Sequence, residues 1–253
     1  MSDPLKVAIA GLGTVGAGTV EVLTAHADQI AARCGRHISI TAVSARDRNK
    51  DRGVDLSPFT WFDDPVVMAC EADADVIVEL IGGSTGTALD LTKAAFSAGR
   101  HVVTANKALV AEVGTDLAQA AEAAGVMLAY EAAVAGGIPI IKALREGLAG
   151  NQISRVLGIL NGTCNYILST MDSTGRDFDD VLKEAQDLGY AEADPSFDID
   201  GVDAAHKLAI LASLAFGTKV AFNDVHTEGI RHVAAIDFEY ARDLGFRIKL
   251  LGL

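Results

Sequence analysis

Basic residues are scarce in this chain of 253 residues: 21 lysines and arginines stand against 34 aspartates and glutamates, a formal net charge of −13. That balance excludes a broad electrostatic footprint for nucleic acid or an anionic membrane, so any bound phosphate must be held by local groups. Cysteine is sparse as well. Cys34, Cys70 and Cys164 form no CxxC pair and are odd in number, which argues against a disulfide framework and thiolate metal ligation and fits reduced thiols in a cytoplasmic protein. With only 5 prolines, half the residues apolar and no low-complexity stretch, extensive disorder is excluded too. No apolar run reaches the roughly 20 residues of a membrane helix. The amino terminus passes straight into a strand, without the basic and apolar regions of a secretory leader. On that reading the sequon-like Asn161-Gly162-Thr163 is not a glycosylation site.

What the chain has instead is alternation. Residues 5–10 read as a buried strand, 11–16 (GLGTVG) as a glycine turn, and 15–30 carry helical spacing through Val15, Val22, Leu23 and Ile30. Residues 38–44, 75–80, 101–104 and 126–130 read as further strands, with helices over 89–99 and 116–124 between the later ones. Strands alternating with helices of this length specify an α/β fold, a doubly wound parallel sheet of Rossmann type with ligands at the carboxyl ends of its strands. Beyond Gly136-Gly137 the pattern changes to an amphipathic stretch over 138–148, a strand over 154–160, and helices over 165–171 and 177–188. Asp177 is placed to cap the last of these and Gly189 to end it. Two domains follow: a dinucleotide-binding domain over 1–135 and an α+β substrate domain over 136–253. The final run, FRIKLLGL, is apolar and strand-like with no polar tail, so the second domain is expected to be incomplete, cut inside a sheet.

Gly11, Gly13 and Gly16 have the spacing of a dinucleotide fingerprint between a strand and a helix: a tight turn, close backbone approach to a pyrophosphate, and close packing of helix on strand. An NAD site usually closes the second strand with an acidic residue for the ribose; here Ser44-Ala45-Arg46 is followed by Arg48, Lys50 and Arg52. NADP is therefore favoured. Arg46 is placed to stack on adenine or to pair with a 2′-phosphate, whereas Arg48, Lys50 and Arg52 read equally well as a solvated basic loop.

The run 189–207, GYAEADPSFDIDGVDAAHK, sets Glu192, Asp194, Asp198, Asp200 and Asp203 just before or in a helix whose ionisable side chains are Asp203, His206 and Lys207. That helix is apolar nearly all round, so it is expected to be buried. Asp203 and Lys207, at i and i+4, share one of its faces. An exposed pair of this kind contributes only about 0.2–0.5 kcal/mol. Desolvating both charges costs more than that, so burial favours a functional ammonium. Lys107, in Thr104-Ala105-Asn106-Lys107 after the strand HVV, reads equally as a reactive group near a nicotinamide and as a surface lysine at a strand end. Together the three segments point to hydride transfer on a small, amine-bearing substrate.

The strings GLGTVG, TANKA, EAAVAGGIPII, GILNGTCNYIL and LGYAEADPSFDIDGVDAAHK, in that order and across essentially the whole chain, resemble homoserine dehydrogenase. The resemblance implies NAD(P)-dependent interconversion of L-homoserine and L-aspartate 4-semialdehyde, a step towards threonine and methionine, in a homodimer formed through the second domain. It assigns proton transfer to Lys207, with Lys107 near both nicotinamide and substrate. Glu192 and Asp203 become the substrate-binding acids, with Asp198 as helper. Gly189 and Thr163 line the cleft. The cofactor would touch Gly11, Gly13, Thr14, Val15, Gly16, Arg46, Thr104, Lys107 and Gly189. Glu131, with the carbonyls of Val134, Gly136 and Ile138, matches a sodium or potassium site, and hard oxygen ligands suit such ions. Two rival readings remain at this point: a phosphorylating semialdehyde dehydrogenase with Cys164 as nucleophile and His206 as base, and a dinucleotide-binding sensor without turnover.

Overall fold

Short runs of valine, isoleucine, alanine and threonine form a six-stranded, wholly parallel sheet in a computed structural model that describes residues 3–253. The strands are β1 (Leu5–Ala10), β2 (Ile38–Ser44), β3 (Thr60–Phe62), β4 (Val76–Glu79), β5 (His101–Thr104) and β6 (Leu128–Ala129), in the order β3-β2-β1-β4-β5-β6. Ala10 pairs with Ser44 on one side and Glu79 on the other, and Glu79 pairs with Thr104. Four strands thus end in one row, and the order reverses between β1 and β4, the position where doubly wound sheets bind ligands.

The chain divides into two compact units, Met1–Gly147 and Leu148–Leu253. Helices of the first are α1 (Thr14–Ala25), α2 (Ala27–Cys34), α3 (Pro65–Glu71), α4 (Thr87–Ser97), α5 (Lys107–Ala123), α6 (Glu131–Val134) and α7 (Ile140–Lys142), which runs into a π turn, Ala143–Gly147. Successive β1 side chains point to opposite faces. Ala8 and Ala10 pack with Met68, Leu91 and Leu109, while Ile9 packs with Leu12, Val20 and Val43, so both faces are covered as a parallel sheet requires.

Several sequence expectations are corrected here. The helix over 15–30 is two helices, broken at His26, whose φ of −113° and ψ of 21° leave the helical region. The strand expected over 126–130 keeps two residues. The amphipathic stretch 138–148 holds a three-residue helix and a π turn, and Glu131 accepts the N–H groups of Ile141 and Lys142 at its start. β3 and α3 were not anticipated, although α3 carries a readable start: Asp64 accepts from Val66 at 2.7 Å and Pro65 occupies the first helical position.

The second unit contains α8 (Gly162–Thr174), α9 (Phe178–Asp187), α10 (Ser196–Ile199), α11 (Val202–Phe216), a 3-10 turn (Phe222–Asp224) and α12 (Ala235–Asp243). Ile167, Leu168, Met171, Val181, Ile199 and Phe238 form its core. Asp177 precedes α9 without a capping side-chain bond, whereas Gly189, at φ 76°, does end that helix. Neither apolar run expected to be a strand, 154–160 or 246–253, forms a ladder. They meet in one antiparallel bridge, Gly158 with Gly252, where the side chain of Leu160 comes within 2.6 Å of the Gly252 Cβ position and requires glycine there. No helix among the described residues is long and apolar enough to cross a membrane.

Candidate active site

The three glycines of the turn do different work. A Cβ on Gly11, which sits at φ 93°, would lie 2.4 Å from the carbonyl oxygen of Leu80 beyond β4, and one on Gly16 would lie 1.9 Å from the carbonyl oxygen of Gly11. Both are packing requirements of the protein itself. Gly13 has nothing within 4 Å of its Cβ position, and it caps the twelve-residue α1, whose first turn holds no acidic residue and receives no side-chain cap. Open space before uncapped helix amides fits a pyrophosphate. Thr14 and Val15 begin α1, so their amides belong to the same cradle.

A cavity of about 1110 Å³ opens here, lined among others by Gly11, Gly13, Ser44, Arg46 and Lys50. Ser44 is 1 % exposed and its hydroxyl finds no partner among the described residues, an orphaned polar atom on the wall of a site whose shape suits a dinucleotide. Arg46 lies on this wall. Arg52, for which a solvated loop was one of two equal readings, donates to three main-chain carbonyls: Leu12, Lys50 and Asp47.

At the carboxyl edge of β4 and β5 the sequence reading missed two residues. Glu79 is fully buried; one carboxyl oxygen accepts the amides of Ile81 and Gly82, and the other accepts the Thr104 hydroxyl at 2.5 Å. Thr104 in turn accepts the Asn106 amide, while the Asn106 side chain donates to Gly83 and caps α5 at Leu109. This chain of bonds fixes Lys107 as the first residue of α5, half-buried beyond β5. An acidic residue closing the apolar strand DVIVEL was the available signal for Glu79.

In the second unit α11 is buried as expected, with no exposed residue before Phe216. Lys207, its side chain 18 % exposed, donates to Asp203 at 2.7 Å and to the Leu160 carbonyl at 2.9 Å; Asp203 is 2 % exposed. Asn161, also unanticipated, joins the acids: its two amide protons go to Asp198 and Asp203, both at 2.8 Å, and its oxygen accepts the Cys164 amide. Both of its amide protons are thereby committed, and α8, α10 and α11 are tied at one point. Thr163 donates to the Tyr190 carbonyl just after the left-handed Gly189. Glu192 is exposed and enters none of these bonds; Gln186 holds its carbonyl at 3.0 Å.

Cys164 and His206 are not arranged for acyl transfer. Burial, followed by the charges of Asp198, Asp203 and Asp200, pushes the Cys164 thiol up to about 12, and Sγ donates to the Asp198 carbonyl. His206 is buried with its ring edge-on to Phe197 and Phe222. A thiol-specific reagent at about pH 8 is expected to label the exposed Cys34 and Cys70 and to reach Cys164 only on unfolding. Because the folded pKa lies above the unfolded value of about 8.5, the stability linked to this thiol is complete below that pH and is lost as pH climbs towards 12. Labelling of all three thiols at equal rates in mass spectra would contradict this.

Both oxygens of Glu131 accept main-chain amides, from Ile141 at 2.8 Å and Lys142 at 2.9 Å, and the Ile138 carbonyl accepts Ile140. Each Glu131 oxygen retains a further lone pair, a hard donor of the kind a monovalent ion takes.

Taken by class, this is a Rossmann-type dinucleotide-binding protein with a second, mainly helical unit that carries a buried lysine–carboxylate cluster. Residues 11–131 match the family model for the NAD binding domain of homoserine dehydrogenase, and residues 139–253 match that for homoserine dehydrogenase. The chain belongs to the homoserine dehydrogenase family. It is 53 % identical over 250 residues to the homoserine dehydrogenase of Pseudomonas aeruginosa, covering 99 % of this chain and 57 % of that protein. Among solved structures it resembles a homoserine dehydrogenase from Thiobacillus denitrificans, 51 % identical with a TM-score of 0.92, covering 98 % of this chain and 57 % of the other. A hyperthermophilic archaeal homoserine dehydrogenase in complex with NADPH, 28 % identical, gives a TM-score of 0.76 over 92 % of this chain and 76 % of its own. The chain thus spans a little over half the length of its bacterial relatives.

Proposed function

We propose that this chain carries the machinery for NADP-dependent interconversion of L-homoserine and L-aspartate 4-semialdehyde. The observation that carries the reading is the ammonium of Lys207 held on a buried helix between Asp203 and the Leu160 carbonyl. Two of its three N–H groups are committed to these acceptors, and the third is available to a substrate oxygen. The nicotinamide, when bound, supplies or receives the hydride. As the aldehyde is reduced its oxygen gains negative charge; Lys207 stabilises that charge and delivers the proton, and in the oxidative direction takes it back. Asp198, Asp203 and Glu192 attract the substrate's α-ammonium, Thr163 and Gly189 shape the wall, and Lys107, first residue of α5 beyond β5, belongs beside the nicotinamide.

β2 ends on Ser44 rather than on an acidic residue, and Arg46 and Lys50 lie on the cavity wall on either side of Asp47, an arrangement that supports NADP over NAD. A sodium or potassium ion at Glu131, Val134, Gly136 and Ile138 belongs to the same reading, as do a homodimer and a cytoplasmic location. Leu157, Ile159, Leu251 and Leu253, all exposed and flanking the Gly158–Gly252 bridge, form an apolar edge that suits a second copy.

The test is the appearance of reduced nicotinamide when the protein meets L-homoserine with NADP, and separately with NAD. Homoserine-dependent turnover independent of phosphate is the expected result, faster with NADP at equal subsaturating concentrations. Tight dinucleotide binding without turnover would leave a sensor, and phosphate-dependent acyl transfer would restore the thiol mechanism.

A further inference from the structure

We propose that Arg52 is a positioning residue of the dinucleotide site, a staple that fixes the loop after β2 against the glycine turn without itself touching the ligand. The inference rests on the reading that this turn holds a nicotinamide dinucleotide. Residues 46–50 are exposed, and Arg46, Asp47 and Lys50 line the cavity together with Arg52. Arg52 crosses this segment: Nε donates to the Leu12 carbonyl at 3.0 Å, Nη1 to Lys50 at 2.7 Å and Nη2 to Asp47 at 2.5 Å. Leu12 lies between Gly11 and Gly13, so one planar fork joins the pyrophosphate turn to the loop that carries Arg46 and Lys50. A second restraint comes from the ring of Trp61, 5.7 Å from the guanidinium carbon and itself held by Asp63 through the indole N–H at 2.8 Å.

Three of the five guanidinium N–H donors go to main-chain carbonyls and the group packs on an aromatic face, so on the cavity wall it is oriented by the protein itself. Its contribution to affinity is then preorganisation: with the wall fixed in advance, binding loses less freedom. Lysine cannot replace it, because a single ammonium on a flexible stem does not reproduce a planar fork. The effect should fall on the part of the site that NADPH and NADH share.

Trp61 is the single tryptophan of the chain, so its emission reports this corner directly. The protein, Arg52→Ala and Arg52→Lys are each titrated with NADPH and with NADH, following that emission, and their folding is checked by circular dichroism. Both variants are expected to shift Trp61 emission before any ligand is added and to weaken NADPH and NADH alike by about tenfold. Should Arg52→Ala unfold, Arg52→Lys, which keeps charge and stem, carries the comparison. Affinities within about twofold of the parent overturn the proposal, as does a loss confined to NADPH, which would mean that the glycine turn both nucleotides share does not depend on the Arg52 bond to Leu12. A parent that binds neither nucleotide refutes the dinucleotide reading itself and is distinct from either result.

Discussion

Replacing Lys207 with methionine is expected to lower kcat/KM for homoserine oxidation by at least about a thousandfold while leaving dinucleotide affinity unchanged. Methionine retains the apolar stem that runs along α11, so what disappears is the ammonium, with its bonds to Asp203 and the Leu160 carbonyl. A positioned acid contributes roughly 10²–10⁴-fold to rate, and a charge aimed at a developing oxyanion a similar factor. The same change strands Asp203, 2 % exposed, with Asn161 as a neutral donor and its cation gone. Breaking a buried pair in this way costs about 3 kcal/mol, readable as a lower urea midpoint. The two effects separate cleanly. If folding weakens but kcat/KM stays within about tenfold of the parent, the lysine is a structural ion-pair partner and the proton route lies elsewhere.

What the sequence revealed of this site depended on whether the signal was periodic or tertiary. Lys207 and Asp203 were legible because an i, i+4 charge pair on an otherwise apolar helix is costly without a purpose, and α11 is indeed covered along its length. Asn161 was read only as part of a sequon. Its role depends on α10 and α11 both returning to the amino end of α8, a meeting that no local pattern announces. The role of Arg52 stayed open in the sequence for the same reason, since its acceptors are main-chain carbonyls and any sequence supplies those. Glu79 had a visible cue, yet its partners sit on the next strand and in the turn after its own.

The fold divides along the same line. β1, β2 and β5 fall on the residues that alternation predicts, and the glycine turn stands between β1 and α1 as its spacing requires. β3 has three residues, too few to display a period. The run 154–160 shows strand-like alternation but pairs at one point only, since a strand is defined by its neighbour's ladder and not by its own composition. The break at His26 carries neither glycine nor proline to mark it.

Alanine substitutions at Gly16 and Gly13 are expected to damage the nucleotide site by opposite routes. At Gly16 the added methyl would sit 1.9 Å from the Gly11 carbonyl oxygen and 2.9 Å from its carbon, both main-chain atoms that cannot swing aside. Gly11 has little room to retreat, because the Leu80 carbonyl oxygen lies 2.4 Å from its Cβ position and its amide is bonded to the Ser44 carbonyl at 2.9 Å. α1 must therefore shift away from the turn, taking the Thr14 and Val15 amides with it. Overpacking against rigid neighbours costs about 3 kcal/mol, and dinucleotide affinity should fall about a hundredfold as the cradle opens. At Gly13 the methyl meets no protein atom within 4 Å and φ is −76°, so the urea midpoint should move by less than about 1 kcal/mol. The methyl occupies the space assigned to the pyrophosphate, and affinity should fall by a comparable factor. Titration and urea unfolding of the two variants together identify what fills that space: a Gly13→Ala protein that binds NADPH as the parent does would remove the pyrophosphate from the turn.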